Sequence, residues 1–156
     1  MFSLPENVKI SLLYQGLANA VACDVVSMKN FHKGWFVVIH TGAEDTDLTL
    51  TLYEATDVAA GTNAAVTKTC PIWVDTDAGT SSDTLAATTA AYAYTIDTGV
   101  APNQIMVLEW DPSKHTAGYD CVYLADSGGH ASNYCTILFM GDPRDQGATL
   151  PSAIVD

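Results

Sequence analysis

Residues 48–52, Leu-Thr-Leu-Thr-Leu, alternate apolar and polar side chains without a break. A period of two puts the three leucines on one face of an extended chain and the threonines on the other, so a half-buried strand is predicted. Residues 34–40 (GWFVVIH) and 104–110 (QIMVLEW) are short, almost continuously apolar and rich in β-branched and aromatic side chains. Such runs predict central strands covered on both faces. Two further runs, 119–125 and 134–140, flank Asp126-Ser127-Gly128-Gly129-His130-Ala131-Ser132-Asn133 and predict a hairpin closed by a long glycine-containing loop. Weaker strand patterns lie at 8–13, 20–28, 69–74 and 92–97, bringing the total to about eight or nine. Residues 57–66 and 75–82 are small, polar and glycine-bearing and read as loops. Residues 83–91 alone tolerate a helix, and their threonines disfavour it.

This pattern predicts an all-β fold: one domain over residues 1–156, an antiparallel β-sandwich or a jelly-roll-like barrel. Terminal arms are expected at 1–7 and 141–156, because Pro143, Gly147 and Pro151 interrupt any regular strand. The apolar ending Leu150-Pro151-Ser152-Ala153-Ile154-Val155 needs cover, either over its own domain or on a neighbour. Phe2, Leu4, Leu150, Ile154 and Val155 are therefore the candidate interface residues.

Composition narrows the function. A chain of 156 residues, 48% hydrophobic and 15% charged, is long enough and apolar enough to bury a core. Six basic against eighteen acidic residues give a formal charge of −12, which repels a phosphate backbone and argues against nucleic acid as a partner. The first residues lack the basic and apolar regions of a secretion signal, and no segment approaches the ~20 apolar residues of a membrane helix. Synthesis in a cytoplasm without a membrane partner is the expectation. In that compartment Cys23, Cys70, Cys121 and Cys135 are expected as free, mostly buried thiols. Cys121 and Cys135 flank the expected hairpin and are the pair that could join in a late disulfide.

Candidate chemistry is sparse. No G-x-S-x-G elbow is present. Asp126, Ser127 and His130 lie together on one loop, but neighbours in sequence seldom form a triad, and a glycine turn accounts for them. The four histidines and four cysteines are too dispersed for zinc, and His40, at the end of an apolar strand, reads as a polar cap at a loop mouth. Asp75, Asp77 and Asp83 offer oxygen ligands around Gly79, a weak calcium pattern without the distal glutamate of a complete loop; solvated turns use the same residues. Trp35, Trp73 and Trp110 could stack on sugars if exposed, yet in apolar strands they read as core. Phosphate-cradling and dinucleotide motifs are absent. No catalytic residue, no cofactor and no enzymatic activity are expected.

Four stretches, Cys23-Asp24-Val25-Val26-Ser27-Met28-Lys29-Asn30, Leu52-Tyr53-Glu54-Ala55-Thr56-Asp57, Gly118-Tyr119-Asp120-Cys121-Val122-Tyr123-Leu124 and Asp142-Pro143-Arg144 with Leu150-Pro151-Ser152-Ala153-Ile154, resemble small structural proteins of tailed bacteriophages and prophages, encoded beside the major capsid protein. The resemblance implies a virion component on the capsid exterior, a head decoration (cement) protein whose partner is the major capsid protein. It also implies a homo-oligomer, with a trimer as the first expectation. A head–tail connector or tail component is the alternative within that class. An extracellular β-sandwich module binding glycan or calcium is the alternative outside it.

Overall fold

In the computed structural model, which describes residues 4–42, 44–99, 101–145 and 150–154, the leucine alternation at 48–52 produces the expected strand. Leu48, Leu50 and Leu52 are fully buried, while the Thr49 hydroxyl bonds the Thr95 hydroxyl at 2.8 Å on the solvent side. The elements in chain order are the single helical turn α1 (Leu4–Asn7), β1 (Lys9–Leu17), β2 (Val26–Ser27), β3 (Phe31–Thr41), β4 (Leu48–Ala55), β5 (Asn63–Ala65), β6 (Ile72–Asp75), β7 (Ala86–Ala87), β8 (Ala93–Ile96) and β9 (Asn103–Trp110). A 3₁₀ turn (Pro112–Lys114), β10 (Cys121–Gly128) and β11 (Tyr134–Pro143) complete them. They form two antiparallel sheets packed as a sandwich and not a closed barrel. One has the order β1-β11-β3-β9-β6-β7; the other has β2-β10-β4-β5, with β8 beside β5 on the same edge of β4.

The hairpin expected around residues 126–133 does not form. β10 pairs with β4 and β2 in the smaller sheet, whereas β11 pairs with β1 and β3 in the larger one. The connection crosses from sheet to sheet. Gly128 and Gly129 make the crossing, at φ of 85° and 78°; a Cβ would lie 2.4 Å from the Asp47 carbonyl oxygen and 2.2 Å from that of Ala18. Glycine is needed there for both conformation and space. Cys121 and Cys135 consequently lie in different sheets and at opposite ends, opposite Ala55 and His40 respectively, so the disulfide that could join them does not form.

Four smaller expectations also shift. The loop read at 57–66 contains β5, which lacks an apolar signal because only backbone pairing to β4 holds it. The helix-tolerant stretch 83–91 is extended, with Ala86 and Ala87 pairing to Val74 and Trp73. Of residues 20–28, only 26 and 27 are a strand. The C-terminal arm begins later than expected, because residues 141–143 complete β11, paired to β3 as far as Pro143 opposite Phe31; beyond it the described part lies on its own domain, where the Ser27 N–H donates to the Ala153 carbonyl at 2.7 Å and Ala153 is fully buried.

The core lies between the sheets, where Phe36, Val38, Met106, Leu108, Ile137 and Phe139 of the larger sheet meet Leu48, Leu50, Leu52, Val122 and Leu124 of the smaller. Each such side chain contributes about 1.5–3 kcal/mol on burial. Phe139 packs edge-on against Phe31 and Phe36, with ring centroids 5.3 and 5.7 Å apart. The paired glycines Gly34 and Gly141 open a notch for these rings. A Cβ at Gly141 would meet Phe31 at 2.5 Å and Phe139 at 2.6 Å; one at Gly34 would meet Phe139 at 2.4 Å. Gly141→Ala should therefore destabilise the fold by about 1–3 kcal/mol through overpacking, read as a lowered urea midpoint with an unchanged slope. A midpoint equal to wild type would show that the rings have room to yield.

Candidate functional site: the outer face of the six-stranded sheet

The alternation that buries Phe36, Val38, Met106, Leu108, Ile137 and Phe139 points their neighbours outward, and all of those neighbours but Thr136 and Glu109 are apolar too. Cross-strand register assembles them into rows. Ile10, Met140 and Trp35 lie side by side; Leu12, Leu138, Val37, Val107 and Trp73 form the next row; the third is mixed, with Ile39 and Ile105 between Gln15, Thr136 and Asp75, and in the last Leu17 and Tyr134 run on to Thr41 and Asn103. Among the described residues no other strand stacks on this side. Ile10, Leu12 and Tyr134 remain 45%, 52% and 57% exposed. The expectation of central strands covered on both faces thus fails for β3 and β9: their outer side chains are only half-buried by lateral neighbours. Trp110 is core, as read from sequence, but Trp35 and Trp73 belong to this outer face and are not core.

Charge on the face sits at row ends: Glu109 closes the first row, and buried Asp75 closes the third beside Ile105. Glu109, at the end of the first row, accepts from Lys33 Nζ at 2.8 Å and from Trp35 Nε1 at 2.9 Å, so its carboxylate is engaged within the sheet. The hydrogen bond to Glu109 is the largest reason the Lys33 ammonium holds its proton above the usual lysine range. Contiguous apolar rows of this extent on the surface of a domain mark a contact surface.

The two ends of the sandwich differ in charge. The end where β3 begins is mixed: it carries Lys9, Lys29, Lys33, Lys114 and Arg144, with Lys68 in the nearby crossover from β5 to β6, alongside Glu6, Glu54, Glu109, Asp111, Asp120, Asp142 and Asp145. The opposite end carries Glu44, Asp45, Asp47, Asp75, Asp77, Asp83 and Asp97 without a lysine or arginine. Asp75, Asp77 and Asp83, the weak calcium candidates, belong to that second end but serve their own loop. The Asp75 carboxylate accepts from the Asp77 N–H at 3.1 Å, Asp77 accepts from the Ser81 hydroxyl, and Asp83 accepts from Thr84 Oγ1 at 3.2 Å. Among the described residues no three His, Cys, Asp or Glu side chains converge as a metal site.

At the lysine-bearing end, Met28, Lys29, Pro112, His115, Tyr119, Asp120 and Arg144 line a cleft of about 310 Å³. Trp110 Nε1 faces His115 Nε2 at 3.4 Å. An indole nitrogen only donates, so His115 carries its proton on Nδ1, which lies 3.7 Å from Glu54 Oε2. Glu54 in turn accepts from the Thr116 N–H at 3.0 Å. Burial keeps the His115 pKa low despite Glu54. These contacts peg the 111–120 connection to the sandwich. Lys29 pairs with Asp120 at 3.5 Å, and Arg144 Nε bonds the Phe31 carbonyl at 3.0 Å.

The remaining candidates fall apart from one another. His130 Nδ1 accepts from the Ser132 N–H at 3.1 Å, and among the described residues no hydrogen bond links it to Ser127 or Asp126. Burial pushes the thiols of Cys23 and Cys135 up to about 12 and that of Cys70 up to about 11, away from the nucleophilic thiolate. Leu4 and Ile154 are 42% and 41% exposed, and Leu150 is partly covered; Phe2 and Val155 lie outside the described residues. The sequence reading identified the strands of the outer face as apolar on both sides but did not foresee that this face is uncovered. Its signal was the second, equally apolar phase of residues 34–40, 104–110 and 134–140, read as evidence for a covering layer that the chain does not supply. Compared with protein-family models, with curated proteins and with solved structures, the chain matches none significantly.

His40 is fully buried between the sheets rather than capping a loop, between Gln104 and Cys135 on the flanking strands, and neither ring nitrogen meets a hydrogen-bond partner. Burial lowers its pKa; the Pro102 backbone pulls the other way but is too poorly placed to bond either nitrogen. The unfolded chain therefore binds this proton first, and stability falls as pH drops below the unfolded value of about 6.5. An unpaired buried polar group costs about 1–3 kcal/mol. His40→Leu should accordingly stabilise the fold by about 1 kcal/mol at pH 7, and by more at pH 5, flattening the curve of denaturation free energy against pH below 6.5. An unchanged slope in that range would clear His40 of the effect.

Proposed function

We propose that this chain is a structural protein of a bacteriophage virion, a decoration protein that binds the outside of the capsid lattice through the major capsid protein. The observation that supports the reading is the apolar outer face of the six-stranded sheet, which the chain itself leaves uncovered. A domain with such a face works as part of an assembly, where the face is withdrawn from water. The resemblance of four stretches to head-associated phage proteins supplies the kind of assembly.

Within this reading the end of the sandwich that bears the lysines and Arg144 faces the lattice. Both described terminal segments run there. α1 precedes β1 at that end, and Ala153 bonds Ser27 beside the start of β10. Exposed Leu4 and Ile154 provide apolar contacts, and Lys29 and Arg144 flank the cleft between the 28–30 and 111–120 connections. The mechanism is mechanical: each copy binds only the mature lattice, and mass action then favours the expanded shell over its disrupted states. Many copies, each held weakly, add up to a large resistance.

Co-sedimentation of the purified protein with mature capsids of its phage tests this directly. Saturable binding in a fixed ratio to the capsid subunit is expected. Leu4→Asp with Ile154→Asp should weaken it by more than about tenfold without changing the thermal midpoint. No sedimentation with capsids at any protein concentration would reject the decoration role. Full binding by the double variant would move the lattice contact elsewhere.

A further inference from the structure

The apolar face identifies no occupant by itself, but its area, its charge and the placement of charge around it do. We propose that the outer face of the six-stranded sheet is covered by the same face of a second copy of this chain, with the strands of the two copies running antiparallel. The proposal rests on the reading of the chain as an assembling structural protein and names what covers its face.

Area comes first. Strands about 4.8 Å apart, with a rise of about 3.4 Å per residue, give β1, β11, β3 and β9 a projected face on the order of 500 Å². β6 and the corrugation of the side chains add to this. A specific interface clears about 1,000 Å² in total over both partners, so a face-to-face pair, with on the order of 500 Å² from each copy, meets that size, and stacked sheets pack about 10 Å apart as in any sandwich core. The strands then acquire the second covered side that their sequences call for.

Charge then selects a copy of the same chain. The rows carry two carboxylates, both at row ends and both engaged within the chain: Glu109 by Lys33 and Trp35, and buried Asp75, beside Ile105, by the Asp77 N–H. A strongly acidic protein can therefore approach itself here with little repulsion, and an apolar patch is complementary to its own image under a two-fold axis. Two isologous arrangements exist. With parallel strands, the ends bearing only carboxylates, Asp45 and Asp97 among them, would lie side by side. With antiparallel strands, each such end lies beside the partner's end that carries the lysines and Arg144, and this arrangement is the favoured one.

Sedimentation velocity on the full-length protein across a dilution series tests the interface. Wild type is expected as a dimer or a multiple of it. Leu12→Lys and Ile39→Lys, both on exposed side chains of the face, should weaken self-association by more than about tenfold while the thermal midpoint measured on the dilute monomer stays unchanged. Tyr92→Lys, an exposed aromatic outside the face, should leave association intact. Zero-length carbodiimide coupling tests the orientation. Lysines of one end and carboxylates of the other are too far apart to join within a chain, so end-to-end Lys33–Asp45 or Lys33–Asp97 links between copies support antiparallel packing, and links confined to like ends overturn it.

A wild-type protein that stays monomeric at every concentration, or an oligomer untouched by both face variants, overturns the second-copy assignment. Hydrogen exchange on capsid-bound protein separates that failure from failure of the functional reading. New protection of β1, β3 and β11 on the capsid would mean that the lattice covers the face and decoration stands, whereas a monomer that also ignores capsids sinks both.

Discussion

A sheet has two faces, and the structure turns on this chain's having enough material to cover only one of its larger sheet. Strands β3, β9 and β11 are apolar in both phases of their alternation. The inner phase meets β4 and β10 and forms the core; among the described residues no strand stacks on the outer phase. In parallel sheets, strands of this kind are covered by helices on both sides. Among the described residues every strand pair is antiparallel, the connections run through turns, short strands or arches, and no helix longer than a single turn is present to form a third layer. In the proposed reading the missing layer comes from outside the chain, and the case for assembly rests on that shortage rather than on any motif.

The edges of the two sheets are managed unequally, and this helps define which surface is left for contact. β2 is backed by the returning Ala153, and the far edge of β4 is shared end to end by β8 and β5, which meet where the Leu52 N–H bonds Tyr92 and the Val66 N–H bonds the Leu52 carbonyl. The smaller sheet is thus sealed along both sides by short pieces. In the larger sheet β1 is a nine-residue edge strand with a register shift between Leu12 and Tyr14. A bulge of this kind twists an edge and discourages open-ended strand addition. It turns Leu13 inward while Leu12 stays outward, so β1 blocks edge-to-edge growth yet still adds three apolar positions, Ile10, Leu12 and Leu17, to the face.

How legible the molecule was depends on which question the residues answer locally. Strand existence was legible wherever side chains carried a period: 48–52, 34–40, 104–110, 119–125 and 134–140 all contain strands. Strand partnership was not. Asp126-Ser127-Gly128-Gly129 satisfies the composition of a hairpin turn, but the two positive-φ glycines are used to cross between sheets against the Asp47 and Ala18 carbonyls, contacts with residues about 80 and 110 positions away that no local pattern encodes. Short strands held by backbone pairing alone, such as Asn63–Ala65, leave no mark in the side-chain sequence. The contact face was half legible. Its residues were identified as strongly apolar, and the inference that their second side is covered was sound physics, but whether the cover belongs to the same chain is decided by the number of layers, which a strand pattern does not count.

Buried polarity inside the sandwich follows the same logic of limited cover. At one end Glu54 and His115 are withdrawn from water: Glu54 accepts from the Thr116 N–H and faces His115 Nδ1 at 3.7 Å, too long for a hydrogen bond, while the Trp110 indole donates to His115 Nε2, and these contacts fasten the 111–120 connection beside the cleft. At the other end Asn133 is fully buried and bonds both the N–H and the carbonyl of Glu44, while Gln104 donates to the Asp97 and Ala101 carbonyls. These amides hold the loops that carry the carboxylates. His40, with both nitrogens unpartnered, is the exception among them. Its neighbours along β3 are the apolar side chains that fill the core, and a leucine would serve the packing better. A buried, unpaired imidazole makes the sandwich less stable in mild acid than its core volume alone would allow. In a decoration role the lattice would supply the missing stability: a domain stabilised by its partners tolerates a weak point that an isolated domain of the same size would not.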